Sequence, residues 1–271
     1  MKLNRRQFIL KLFLGSFSFL VLDSFWLETY FIEWTEHDIS KTEFNKIKAI
    51  HLTDLHLHSI KSVHRSIAER INMEQPDVIF FTGDSVERNR YLTVLGDFLS
   101  LIDITIPKIA VLGNKEYSGR VDLEQLKSIY GSYNGTTLVN ESLIFDAKSR
   151  KINVLGIDDF VCGYPDFKKS SQDIDTSLTT VVLNHCPVYR EEIDRISVPL
   201  NIKPELILAG HTHGGQITFF GKPFFTPFGS GNYVKGWYNN KISNMYVSKG
   251  VGTTIYPMRF GARAEASIFY I

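Results

Sequence analysis

An α/β fold is what the sequence predicts, on three observations. From residue 47 onward, short β-branched runs alternate with stretches of helical periodicity, the signature of packed strand and helix layers. Five of the apolar runs end beside a side chain able to bind metal. No internal repeat, low-complexity tract or linker marks a second unit, so residues 35–271 read as one domain behind an N-terminal segment of residues 1–34.

The elements follow in chain order. Residues 1–22 carry Lys2, Arg5, Arg6 and Lys11 without an acid, and an apolar run extends from Leu12 to Leu22. A basic head before an apolar stretch is a targeting or anchoring signal. The run alone covers about 17 Å of helix, and Phe8 to Leu27 covers about 30 Å only with Lys11 and Asp23 inside the span. A spanning helix therefore competes with an uncleaved helix lying in the membrane interface, with Trp26, Tyr30 and Trp34 near the head groups. Arg5-Arg6-Gln7-Phe8-Ile9 resembles the core of a twin-arginine export signal, although Lys11 falls one place late and no A-x-A cleavage site follows.

Residues 47–53, 77–82, 108–112, 179–183 and 205–209 read as strands that run into Asp54, Gly83-Asp84, Gly113-Asn114, Asn184-His185 and Gly210-His211. Carboxyl ends of strands in open α/β sheets face one crevice, so these five ends are expected to converge. Val63, Ile67 and Ile71 form one core-facing helical stripe, and Leu123, Leu126, Ile129 and Tyr130 form another. Past residue 213 glycine, proline and aromatics dominate, with strand candidates at 245–248 and 267–271.

Composition narrows the function. With 30 Lys+Arg against 29 Asp+Glu the formal net charge is +1, which argues against a nucleic-acid partner held by bulk charge. At 44% hydrophobic and 22% charged residues the chain can build a core, so disorder is excluded as its main state. Cys162 and Cys186 are too few for a disulfide scaffold and form no C-x-x-C pair.

Asp54-Leu-His56, Gly83-Asp84, Gly113-Asn114, His185 and Gly210-His-Thr-His213 together supply two carboxylates, one amide and four imidazoles. Oxygen mixed with imidazole nitrogen suits Mn, Fe or Zn and disfavours thiolate-loving metals. In D-x-H and H-x-H, alternate residues of an extended chain point the same way. Singly, each piece has a plainer explanation, since a strand-terminal Asp is most often a cap or turn former and a lone His a hydrogen-bonded or surface residue. Their joint order and spacing override it.

That ordered series resembles the calcineurin-like metallophosphoesterases over residues 47–271. Gly210-His-Thr-His-Gly-Gly-Gln216, Val247-Ser-Lys-Gly-Val-Gly252 and Arg259-Phe-Gly-Ala-Arg-Ala-Glu265 are similar to the membrane-associated branch, which includes twin-arginine-exported phosphodiesterases and UDP-2,3-diacylglucosamine pyrophosphatases of lipid A synthesis. The resemblance implies a two-sheet β-sandwich flanked by helices, a four-layer αββα fold. It implies two divalent ions, one held by Asp54, His56, Asp84 and His213 and a second by Asp84, Asn114, His185 and His211, with Asp84 between them. It also implies hydrolysis of a phosphodiester or pyrophosphate bond in a membrane lipid or nucleotide-linked glycolipid, at the cytoplasmic membrane of a bacterium. A phosphodiesterase acting on soluble esters and a non-catalytic metal-binding scaffold are the alternatives.

Beside the ions, Asn114, Lys115 and His211 are the catalytic candidates. The Asn114 oxygen can bind a cation while its amide hydrogens hold a phosphoryl oxygen. Lys115 stands where the resembled family usually has histidine; with an ordinary pKa of about 10.4 it is a poorer proton donor near neutrality. Arg259 and Arg263, four apart, are candidates to clamp a phosphate, with pairing to Glu265 as the alternative. His51 reads as a packed strand residue, His58 and His64 as solvated, His37 as part of a polar connector without a role, and Cys186 as a small buried residue.

Overall fold

The computed structural model describes residues 4–147 and 150–271, so Lys2 of the basic head lies outside the described residues. Strands β1 (Glu33–Asp38), β2 (Lys48–Leu52), β3 (Val78–Thr82), β4 (Lys108–Val111) and β5 (Gly135–Thr137) precede β6 (Glu141–Ala147), β7 (Arg150–Gly156), β8 (Thr179–Leu183) and β9 (Pro204–Ala209). A hairpin of β10 (Thr218–Phe219) and β11 (Lys222–Pro223) follows, and then β12 (Gly236–Asn239), β13 (Asn244–Val247) and β14 (Glu265–Tyr270). Apart from the hairpin they form two six-stranded sheets, ordered β1-β14-β2-β3-β4-β5 and β12-β13-β9-β8-β7-β6.

The sheets stack face to face. Ala49, Val78, Phe80 and Ile109 of one pack against Ile152, Val154, Val181 and Leu206 of the other. Because strand side chains alternate, Ile50, Leu52, Ile79 and Phe81 point outward, onto helices Ser62–Glu74, Leu92–Leu99 and Leu123–Ser132. On the opposite outer face Leu155, Val182 and Ile207 pack with Ile193 of helix Arg190–Leu200. The result is the expected αββα stack. Each fully buried aliphatic or aromatic side chain contributes about 1.5–3 kcal/mol, and three such layers make a rigid base for the loops above them.

β2, β3 and β4 are parallel neighbours in one sheet, and β8 and β9 in the other. Covered on both faces, they read as continuous apolar runs. The edge strands β1 and β6 instead carry charged residues that blunt an exposed edge, and their mixed pattern gives no strand signal in the sequence.

Helix Arg5–Leu22 buries none of its side chains, and the helical stretch Arg5–Tyr30 is long and apolar enough to cross a membrane. Contact with the domain begins at Ser24, whose carbonyl accepts from the Arg259 backbone N–H at 2.9 Å. The Glu28 carboxylate accepts from the N–H groups of Gly261 and Ala262 at 2.9 and 3.0 Å. Tyr30 and Trp34 are partly buried against the helix layer, whereas Trp26 is exposed. The boundary expected between residues 34 and 35 falls inside β1, where Trp34 pairs with Ala266.

Candidate metal centre

The chain leaves β2, β3, β4, β8 and β9 at the same edge of the stack and turns sharply after β2, β3 and β9. Asp54, His56, Asp84, His211 and His213 all have positive φ, between 46° and 72°. Non-glycine residues in this region cost roughly 1 kcal/mol or more each and cluster where function over-determines the backbone. Two glycines permit the crowding. A Cβ on Gly113 would lie 2.3 Å from Asp84 Oδ1, and one on Gly210 would lie 2.4 Å from Asp54 Oδ2, so neither position accepts a side chain.

All seven sequence-predicted donors meet there, in two groups. In the first, His56 Nε2 lies 3.1 Å from His213 Nε2, 3.8 Å from Asp54 Oδ1 and 3.7 Å from Asp84 Oδ2, with His213 Nε2 3.4 Å from Asp54 Oδ1. In the second, Asn114 Oδ1 lies 3.1 Å from His185 Nε2 and 3.0 Å from His211 Nδ1, and His185 Nε2 is 3.5 Å from Asp84 Oδ1. Such separations are the edges of a polyhedron whose donors lie about 2.0–2.2 Å from a common centre.

Three features of the donor set fit a cation. Asp54 Oδ1 is buried without a hydrogen-bond partner, while its other oxygen accepts from the His211 N–H at 2.9 Å. Burial opposes charge on His56, yet the surrounding carboxylates of Asp54, Glu87 and Asp84 raise its pKa to about 9. Burial likewise opposes charge on His185, and the carboxylates of Asp84 and Asp54 override it to reach about 9. The carboxylate field thus draws positive charge onto these largely buried donors.

Neighbouring groups aim the rings. His185 donates through Nδ1 to the Thr82 carbonyl at 2.7 Å, and His211 through Nε2 to the Phe228 carbonyl at 2.8 Å, which leaves the inward nitrogens free to coordinate. His56 Nδ1 faces Glu87 Oε1 at 3.4 Å. Glu116 is buried and accepts N–H groups from Gly113 at 2.9 Å, Asp84 at 3.0 Å, Ser85 at 2.7 Å and Val86 at 3.3 Å. It ties the β3 and β4 exits together, and burial, with the nearby charge of Asp84, raises its pKa to about 7. Glu116 stands three places after Gly113, the spacing of a capping box and its one trace in the sequence.

The remaining candidates are distributed differently. Lys115 sits in the first turn of helix Asn114–Ser118, its backbone N–H donating to Asp84 Oδ1 at 2.8 Å. Arg259 is fully buried, and its guanidinium donates to the carbonyls of Ala262 at 2.9 Å, Lys249 at 2.9 Å and Gly250 at 3.0 Å, and to that of Gly252. With those donors spent on backbone it is a stitch between loops, and Arg259 is not the phosphate clamp it was expected to offer. Arg263 is exposed. His51 is packed as expected, against Thr82 Oγ1 at 2.7 Å. His64, expected to be solvated, is buried, and His37 belongs to β1, its ring among Trp237, Tyr246 and Phe269.

Comparison with known proteins is consistent with this geometry. A family model described as calcineurin-like phosphoesterase matches residues 47–215. The chain is 28% identical to the uncharacterized metallophosphoesterase YkuE of Bacillus subtilis, over 99% of this chain and 97% of that protein. It is 31% identical to an uncharacterized metallophosphoesterase of Aquifex aeolicus, over 86% of this chain and 89% of the other. Against phosphodiesterase YaeI of Escherichia coli the identity is 28%, over 82% and 80% of the two chains.

Proposed function

This chain belongs to the calcineurin-like phosphoesterase family, and from that premise we propose that its two donor groups hold a pair of divalent ions, Mn, Fe or Zn, to hydrolyse a phosphodiester or pyrophosphate bond in a membrane lipid or nucleotide-linked glycolipid. The observation that carries the dinuclear reading is the Asp84 carboxylate, whose Oδ2 lies 3.7 Å from His56 Nε2 and whose Oδ1 lies 3.5 Å from His185 Nε2. One oxygen faces each group. The helix Arg5–Tyr30 supports tethering at a bacterial cytoplasmic membrane and hence a lipid-borne substrate.

Bound ions would supply an activated water and charge stabilisation for an in-line displacement at phosphorus. The chain's own groups do the rest. Asn114 directs its oxygen to the second donor group and leaves its amide N–H groups for a phosphoryl oxygen. Glu116 keeps Asp84 and Asn114 in register, so that neither must reorganise during reaction. Lys115 stands one residue beyond Asn114 as a cation for the phosphoryl oxygens.

Lys115 also gives the test of substrate type. A phosphate leaving group departs as a stable anion, with a second pKa of about 6, whereas an alkoxide needs a proton or a metal. Lys115→His should raise turnover of alkyl phosphodiesters relative to pyrophosphates several-fold, and Lys115→Ala should lower both, by roughly tenfold. The readout is the ratio of kcat/KM for the two classes in manganese-loaded wild type and both variants. An unchanged ratio in all three removes the support this position gives to pyrophosphate.

A further inference from the structure

Phe219, Phe220, Phe224, Phe225, Ile255 and Tyr256 are each at least 57% exposed. They crowd onto two adjoining arms, the β10–β11 hairpin and the loop before Arg259. Elsewhere in the domain exposed large apolar side chains, such as Phe44, Met73, Ile104 and Ile144, lie on separate elements, which is ordinary for a soluble surface. A contiguous aromatic patch is not. Nor does the fold call for these residues: Ile255 is β-branched yet has φ of 62° and is 80% exposed, a position where a turn alone would favour glycine or asparagine.

The patch is wired to the metal centre on one side and to the N-terminal helix on the other. Gln216, three residues after His213, donates through Nε2 to the carbonyls of Thr254 at 2.8 Å and Tyr256 at 2.9 Å and so joins the two arms. The Phe228 carbonyl, at the end of the hairpin segment, is the group that receives His211 Nε2. In the other direction Thr218 N–H donates to the Phe260 carbonyl at 2.7 Å, and Arg259 N–H to the Ser24 carbonyl at the foot of the membrane-length helix at 2.9 Å. Lys222 is exposed on the hairpin, and Arg263 is exposed just past Arg259. Aromatic tips flanked by exposed cations suit the boundary between anionic head groups and acyl chains.

We propose that this aromatic lip is a second membrane-docking surface, seating the metal centre on an anionic phospholipid interface so that its substrate is a lipid-borne phosphoester presented at head-group depth. The inference rests on the phosphoesterase and tether reading above and adds where the cleft faces. The helix alone confines the enzyme to the membrane; the lip sets its height and orientation there.

The test uses the full chain, reconstituted in phosphatidylethanolamine and phosphatidylglycerol vesicles and loaded with manganese. Phe224→Trp should add tryptophan emission that brominated-chain lipids quench beyond the wild-type background. A triple variant, Phe220→Ser, Phe224→Ser and Ile255→Ser, should stay on the vesicles and keep wild-type turnover of soluble bis(4-nitrophenyl) phosphate. Its turnover of vesicle-borne hexadecyl 4-nitrophenyl phosphate, which has the same leaving group, should fall about tenfold as interfacial area is lost. No added quenching, or an unchanged ratio of the two esters, overturns the proposal. A patch that instead pairs two copies would show as a dimer lost in the triple variant without quenching, which also overturns it. If wild type turns over neither ester the hydrolase reading fails, and quenching alone then supports or refutes docking.

Discussion

The two ends of the same strands are built on opposite terms. At the amino ends, polar groups are paired within the protein: the Lys48 ammonium with Glu74, the Lys48 N–H with Asp77 Oδ2 at 2.9 Å, and the Thr180 N–H with Glu205 Oε2 at 2.9 Å. Even the buried Lys108 ammonium donates to the carbonyls of Ile106 at 2.7 Å and Asp103 at 3.1 Å. At the carboxyl ends, Asp54 Oδ1 has no partner, five donors sit in left-handed backbone, and imidazole nitrogens face one another at 3.1 and 3.2 Å. One end pairs its polar groups with the protein itself, whereas the other gathers carboxylate and imidazole donors that a cation would join. Stability and chemistry are thus separated by the length of a strand.

The largest effect should come from the residue both donor groups share. Asp84→Asn is expected to lower turnover of an aryl phosphodiester by roughly a hundred- to a thousandfold, the scale for losing one preorganised electrostatic group, and to reduce bound metal at both groups. Metal analysis beside kinetics checks it; near-normal turnover with full metal would erase the distinction between the two ends.

Metal removal should come next. Ions that bind only the folded chain stabilise it by about 2.7–4.1 kcal/mol at a hundred to a thousand times Kd. Chelation should therefore lower Tm by several degrees and manganese should restore it. A Tm indifferent to chelator would mean that the carboxyl ends are already satisfied without cations.

Truncation probes how far stability reaches toward the centre. Deleting residues 1–22 removes a helix that buries nothing, so its melting should match the full chain's. Deleting residues 1–34 also removes Glu28 from Gly261 and Ala262 and shortens β1, at a cost of about 2–4 kcal/mol. Chemical denaturation of both forms decides it; equal midpoints would show that the domain begins after residue 34.

The smallest effect belongs to Lys108. Burial lowers its pKa from 10.5 to about 8, so between those values the folded chain holds fewer protons than the unfolded one and stability rises with pH; below 8 the penalty is constant. Lys108→Met should abolish that rise and stabilise the protein by about 1 kcal/mol at neutral pH, since two carbonyls lose their donor in exchange. Activity should not change. Unfolding free energy measured from pH 7 to 10 tests both parts.

What the sequence disclosed follows the same division. The five buried strands declared themselves as apolar runs, and their ligands were legible because D-x-H, G-D, G-N and G-H-x-H leave the sheets at fixed points. Spacing could not tell an exposed cation from a buried one, so Arg259, four residues from Arg263, read as a phosphate clamp when its donors hold loop carbonyls. The one signal for Glu116 is its capping-box spacing from Gly113, which marks a helix start and says nothing of the Asp84, Ser85 and Val86 N–H groups it also holds. His37 lay hidden because β1, an edge strand of charged residues, has the composition of a connector.

The most direct test of the central claim is the electron paramagnetic resonance spectrum of the metal-free protein titrated with manganese. A carboxylate shared by two ions should give an exchange-coupled spectrum once two equivalents are bound, and Asp84→Asn should abolish the coupling. Uptake of a single equivalent, or two equivalents showing only the hyperfine pattern of isolated ions, would contradict the assignment of Asp84 as the bridge between the two groups.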